Sequence, residues 1–168
     1  VDCNGDGDGI IEWDTLETDR ESLRTWQHLS LANLWPGTFI GEGHNGSGPE
    51  AIYHSKAGKG KYSIQTAGNN RVFKGSTGTR EISNLVIILG GNNTDLWPAS
   101  ISMPDTYYLD GKMDDQVANK GKIFGISGSD VATNACSAGQ NSDGGADYNL
   151  NNIASEVSAC YMIRFLGR

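Results

Sequence analysis

Long apolar runs, Cys-x-x-Cys motifs and catalytic motifs are all missing from this 168-residue sequence. No stretch reaches the roughly 18 apolar residues of a membrane-spanning helix, so the sequence predicts none. There is no Cys-x-x-Cys pair, which argues against zinc and thioredoxin-type centres. A His-Glu-x-x-His metal motif and a Gly-x-Ser-x-Gly nucleophile turn are absent as well. The histidines His28, His44 and His54 show no metal-ligand spacing. We therefore predict that the chain is not an enzyme.

Apolar residues are also scarce, at 37%, whereas glycine is abundant, with 23 residues. This composition is typical of a folded domain with long polar loops, and the length suits one domain spanning residues 1–168. Acidic residues outnumber basic ones by 20 to 13, which gives a formal charge of −7. A net acidic chain gains nothing from counterion release on DNA, so no nucleic-acid partner is expected. The acidic balance instead favours cation binding.

Three cysteines are present, and two of them flank a polar stretch near the C-terminus. The spacing of Cys136 and Cys160 suits a disulfide that closes a long loop, although two buried free thiols are the alternative. A disulfide would imply an oxidising compartment. Cys3 has no evident partner in the sequence.

Hydrophobic periodicity predicts two helices and several strands. A capping box at Thr18 and Glu21, followed by apolar residues at helical spacing, predicts a helix over residues 18–34 that Pro36-Gly37 ends. A second cap, Ser102 with Asp105, predicts a short helix that ends near residue 113. Strands are predicted at residues 61–65, 71–74, 84–89, 121–126 and 159–166, the first two as a hairpin. The predicted fold class is therefore α+β: a helix packed on a mostly antiparallel β-sheet, with long loops.

The first residues form a loop in which oxygen-bearing side chains alternate with glycine. Calcium takes about six to eight oxygen ligands, and glycine permits the tight backbone that turns them inward. We therefore predict a calcium loop over residues 2–17. Its predicted ligands are Asp2, Asn4, Asp6, Asp8, Ile10 and Glu12.

Two registers of this loop compete. One starts at Asp2, and the other starts at Asn4 and places Gly9 at the sharp turn, which matches the pattern of known calcium loops better. Neither register places a glutamate at the twelfth position, so Glu12, Asp14 or Glu17 must complete the shell. The simpler alternative is an acidic turn without metal, and magnesium fits a loop this rich in protein oxygens less well.

A second acidic segment follows the predicted second helix. Asp114 and Asp115 are adjacent, so on a helix they point about 100° apart and form a poor acid/base pair. We expect them to end the helix and to organise the turn before the strand at residues 121–126. A second cation site at this point is the alternative.

This segment is similar to type IV pilin-like proteins, which include pilins and pseudopilins. The resemblance rests on Tyr-Tyr-Leu-Asp-Gly-Lys-Met-Asp-Asp at residues 107–115, Gly-Lys-Ile at 121–123, and two cysteines before a final strand. Residues 21–34 and the Gly-Asp-Gly-Asp-Gly-Ile loop before them resemble the same proteins. Gln116 departs from the pattern, because glycine often follows the aspartate pair. The apolar N-terminal helix of that family is also missing, and the abrupt start at Val1 leads us to expect an upstream segment.

The resemblance implies a filament subunit without enzymatic activity. It implies a pilin-like head whose C-terminal region is closed by Cys136–Cys160, with other pilin subunits as partners. The expected location is a bacterial cell-surface or extracellular filament, or the periplasm for a pseudopilin. An adhesive role would fit such a filament. Two alternatives remain: a secreted, calcium-dependent carbohydrate-binding module, and a hydrolase.

Overall fold

In the computed structural model, the described residues are 9–11, 21–41, 53–54, 60–67, 74–75, 78–79, 84–91, 98–118, 120–132, 134–138 and 147–166. They contain two α-helices, ten strands and one short 3-10 turn at Leu150–Asn152. The helices are α1, Glu21–Leu31, and α2, Met103–Met113. The strands, in chain order, are β1 Tyr53–His54, β2 Lys61–Ala67, β3 Lys74–Gly75, β4 Gly78–Thr79, β5 Asn84–Gly90, β6 Ile101–Ser102, β7 Ile123–Ser127, β8 Ser137–Ala138, β9 Asp147–Tyr148 and β10 Ser158–Phe165. The α+β class predicted from the sequence is confirmed.

Six of these strands form one antiparallel sheet. β5 lies between β2 and β10, and β10 in turn pairs with β6 and β7. The last strand is therefore a central strand, although it comes at the end of the described chain. Two further pairs, β3 with β4 and β8 with β9, form small separate sheets. Neither described helix is long and apolar enough to cross a membrane.

The two faces of the sheet follow from the strand registers. Ile88 pairs with Ile163, which pairs with Phe124, and these side chains form a buried apolar cluster on one face. The next row across the sheet, Leu89–Met162–Gly125, points to the opposite face because side chains alternate along a strand. The same alternation is seen along β10, since Tyr161, Ile163 and Phe165 all belong to the buried cluster.

Both helices pack on that opposite face. Leu23 and Trp26 of α1 form a buried cluster with Phe39, and Tyr62 and Ile64 of β2 pack against it. At the other end of the sheet, α2 approaches β7 so closely that a Cβ on Gly125 would lie 2.9 Å from Cγ2 of Thr106. The sheet thus holds the two helices at opposite ends of one face.

Two predictions made from the sequence differ from what the described residues show. The first helix ends at Leu31 rather than near Pro36, because Asn33 adopts a left-handed backbone with φ 56°. Leu34 is consequently 71% exposed and does not extend the apolar helix face. The predicted hairpin of residues 61–65 with 71–74 is not found among the described residues, which do not include 71–73. β2 pairs with β5 on one side and with β1 on the other, and Lys74 pairs with Thr79.

Candidate metal centre

The site begins with the local signals that define α2. Ser102 caps the helix, since its hydroxyl accepts a hydrogen bond from the Asp105 N–H at 3.2 Å and donates one to the Asp105 carboxylate at 2.7 Å. Pro104 occupies the first turn, where a missing N–H costs nothing. These two features confirm the predicted start of the helix. The helix ends at Met113, and Asp114 caps it.

Asp114 joins the end of α2 to the start of β7. Its carboxylate oxygen Oδ2 accepts hydrogen bonds from the backbone N–H groups of Lys122 and Ile123, the latter at 2.8 Å. Gly121 makes this approach possible, because its φ of 66° is left-handed and any Cβ there would overlap the Asp114 carboxylate. The prediction that the aspartate pair ends the helix and organises the next turn is confirmed.

The same turn covers the outer edge of β7. The Ile123 N–H that bonds Asp114 points away from β10, and the Gly125 N–H donates to the Ala118 carbonyl at 2.9 Å. An open strand edge exposes such groups to pairing with other chains. The loop after α2 therefore protects this edge of the sheet.

Asp110 is the buried member of the acidic group, with 0% of its surface exposed. Its Oδ1 accepts a hydrogen bond from the Gln116 N–H at 3.3 Å, and its Oδ2 accepts one from the Tyr148 hydroxyl at 2.8 Å. Burial raises the pKa of the Asp110 carboxyl from 3.8 to about 6, although both hydrogen bonds counteract the rise. Burial likewise raises the pKa of the Tyr148 phenol, so this hydroxyl keeps its proton as a donor.

Tyr148 is presented by the disulfide-closed loop. It pairs with Ser137 across the β8–β9 ladder, and Ser137 follows Cys136 in the chain. Cys136 forms a disulfide with Cys160, with Cα atoms 5.1 Å apart and both residues fully buried. The ring of Tyr148 packs edge-on against Tyr107 of α2, with centroids 5.5 Å apart. The loop is thus anchored at both cysteines and again through Tyr148.

Three carboxylates converge at this point. Asp110, Asp114 and Asp115 each offer an oxygen, and these oxygens all lie within 4.8 Å of one another. Asp115 is exposed and accepts a hydrogen bond from the Val117 N–H at 3.0 Å. A carboxylate oxygen that accepts one hydrogen bond keeps a second lone pair. The group can therefore hold a hard cation such as calcium or magnesium, which takes oxygen ligands.

The predicted N-terminal calcium loop is only partly covered by the structure. Asp2, Asn4, Asp6, Asp8 and Glu12 lie outside the described residues, as do Asp14, Glu17 and Cys3. Of the predicted ligands, Ile10 is described, and it is half-buried. The neighbouring Ile11 is tied to β2, because its N–H donates to the Thr66 hydroxyl at 3.0 Å and its carbonyl accepts from the Thr66 N–H at 2.8 Å.

The most important residue that the sequence does not reveal is Tyr148. It lies 38 positions from Asp110 in a polar stretch without clear periodicity, so no local signal links the two.

Comparisons of this chain with protein-family models, with curated proteins and with solved structures found no match.

Proposed function

We propose that the chain is the head domain of a type IV pilin-like filament subunit. The observation that supports this most is the C-terminal arrangement of an acidic turn, a strand, a disulfide-closed loop and a final strand. This arrangement is what the sequence resemblance implies. A helix packed on an antiparallel sheet agrees with the same proposal.

The role would be mechanical rather than catalytic. The head would supply contacts between subunits and would present loops to the surroundings. The Cys136–Cys160 disulfide agrees with an exported head, because disulfides form and persist in oxidising compartments. The filament would lie at a bacterial cell surface, or in the periplasm for a pseudopilin.

Calcium is the cation that we assign to this head. Hard oxygen ligands from several carboxylates favour calcium, because magnesium usually keeps most of its waters and takes one or two protein carboxylates. Asp110, Asp114 and Asp115 would neutralise the ion and fix the turn between α2 and β7. The N-terminal loop over residues 2–17 remains the calcium site that the sequence predicts, and the three aspartates would form a second one.

The test is made on the complete gene product in its own cell. The proposal expects a short leader and an apolar helix upstream of Val1, and it expects the chain in filaments sheared from the surface. Antibodies against the purified 168-residue chain would detect it there by immunogold labelling. An ordinary cleavable signal peptide, together with a freely secreted protein and unlabelled filaments, would refute the proposal.

A further inference from the structure

We propose that the outer face of α2 forms a symmetric contact with α2 of a second copy of this chain, in antiparallel orientation. This inference goes beyond the filament proposal and does not depend on it. It is drawn from the order of acidic, apolar and basic side chains along one stripe of the helix.

Four exposed side chains form the stripe, which we call the α2 stripe: Asp105, Tyr108, Leu109 and Lys112. They follow the i, i+3, i+4, i+7 spacing, so they share one side of the helix. The opposite side, which includes Met103, Thr106 and Asp110, is fully buried. The large side chains at the centre of the stripe remain accessible, with Tyr108 57% and Leu109 36% exposed.

The stripe is complementary to itself under a two-fold rotation. An axis that passes between Tyr108 and Leu109 places Asp105 of each copy opposite Lys112 of the other, because both lie the same number of residues from that axis. It also places each tyrosine against the leucine of the second copy. Asp105 and Lys112 are about 10 Å apart along the helix axis at 1.5 Å per residue, so both charge pairs form together. Such a contact is isologous, which is the commonest symmetry of homodimers.

The acidic end of the stripe is extended by a neighbouring loop. An open cavity of about 550 Å³ lies beside the start of α2, and it is lined by Ser102, Pro104, Asp105, Ile153, Ala154 and Glu156. Glu156 is exposed and adds a second negative charge, whereas Ile153 and Pro104 provide a small apolar wall in a mostly polar lining. A lysine fits this chemistry, because its aliphatic stem can lie on the wall while its ammonium meets the carboxylates.

The size of the contact sets its strength. A single 11-residue helix face and the cavity rim are smaller than the roughly 800 Å² per partner of a standard interface. The isolated chain should therefore dimerise weakly and in a salt-dependent manner. Many copies displayed on one surface would strengthen it through multivalency.

Sedimentation velocity of the purified chain over a range of concentrations tests the contact. The wild type should approach the mass of a dimer and no more, and Lys112→Glu should weaken dimerisation at least tenfold. Lys120→Glu is the matched control. Lys120 is exposed, and its replacement by glutamate makes the same change in charge at a site away from the α2 stripe. Equal weakening by both variants, a wild type that stays monomeric at every concentration, or growth beyond a dimer would overturn the proposal.

A mixing experiment separates the contact from misfolding. Lys112→Glu makes both ends of the stripe acidic, and Asp105→Lys makes both ends basic, so each variant should be monomeric alone. Mixed together, they should form a heterodimer, because every facing pair is then of opposite charge. If Asp105→Lys loses helix capping and does not fold, the double variant Lys112→Glu with Glu156→Lys replaces the mixture. It keeps the Asp105 cap and sets a positive charge opposite the negative charge introduced at position 112, so it should dimerise more strongly than Lys112→Glu alone. Two folded variants that stay monomeric when mixed would overturn the proposal.

Discussion

The hydroxyl of Tyr148 donates a 2.8 Å hydrogen bond to the buried carboxylate of Asp110. This bond connects the disulfide-closed loop to α2, and it joins two residues that are 38 positions apart in the sequence. It also places the loop's aromatic side chain beside the carboxylate group that can hold a cation. The stability of the C-terminal half and the properties of the candidate metal centre are therefore linked at one point.

Removing this hydroxyl should destabilise the fold. Tyr148→Phe keeps the ring packed against Tyr107 but leaves Oδ2 of Asp110 buried without its donor. The free energy of unfolding should fall by about 1–3 kcal/mol, measured by urea denaturation. Tyr108→Phe is the control, because the Tyr108 side chain is 57% exposed and its loss of a hydroxyl should change stability by less than about 0.5 kcal/mol. Equal effects of the two variants would contradict this prediction.

The raised pKa of Asp110 predicts how stability depends on pH. The folded chain holds this proton more tightly than the unfolded chain, since the pKa is about 6 when folded and 3.8 otherwise. The contribution of Asp110 to stability is therefore largest below about pH 4, and it falls as the pH rises to about 6. At about 1.4 kcal/mol per pKa unit, the loss is on the order of 3 kcal/mol.

Asp110→Asn tests this pH dependence directly. The amide does not titrate, and the Tyr148 hydroxyl can turn to accept a hydrogen bond from it. The variant should lose less stability than the wild type between pH 4 and 6 in metal-free urea denaturation, with ¹³C NMR of the wild-type carboxyl reporting the pKa itself. An unaltered pH profile would show that Asp110 does not titrate in this range.

The disulfide should stabilise the chain by restricting the unfolded state. Its cysteines are 24 positions apart, for which the chain-entropy model gives about 3 kcal/mol. Replacing Cys136 and Cys160 together with alanine should lower the free energy of unfolding by about that amount in urea denaturation. Cys3→Ser is the matched control for removal of a thiol, and it should leave stability nearly unchanged if Cys3 has no partner within the chain. A double variant as stable as the wild type would contradict the prediction.

Local signals explain which parts of the site the sequence could predict. The Ser102–Asp105 cap joins residues three positions apart, and the Asp114 turn joins residues nine positions apart, so the local sequence predicts both. The sequence does not predict the pairing of β2 with β5, because strand partners are chosen by long-range packing, whereas the predicted hairpin joins strands that are neighbours in sequence. Tyr148 was missed for the same reason, since only the tertiary fold brings it to Asp110.

Calcium binding should stabilise the folded chain, because an ion that binds only the folded state shifts the unfolding equilibrium. At a calcium concentration a hundredfold above Kd, the gain is about 2.7 kcal/mol, which corresponds to a rise in Tm of about 5–10 °C for a chain of this size. Differential scanning calorimetry with calcium and with chelator measures the shift. If neither calcium nor chelator changes the Tm, every calcium prediction is wrong.

Two sets of variants assign the shift to a site. Asp115→Asn removes one charge from the cluster but keeps an oxygen for the Val117 N–H, so it should reduce the calcium-dependent rise without altering Tm in chelator. Asp6→Ala with Asp8→Ala should remove the part of the rise that comes from the N-terminal loop. Lys120→Asn is the control for a nearby polar change, because Lys120 is exposed and its replacement leaves all carboxylates intact.

The pH dependence gives a second way to locate the ion. Calcium bound at Asp110 favours the charged form of this carboxyl. Saturation with calcium should therefore reduce the loss of stability between pH 4 and 6 in the wild type but not in Asp110→Asn. A wild-type pH profile that calcium leaves unchanged would place the ion elsewhere, even if the Tm rises.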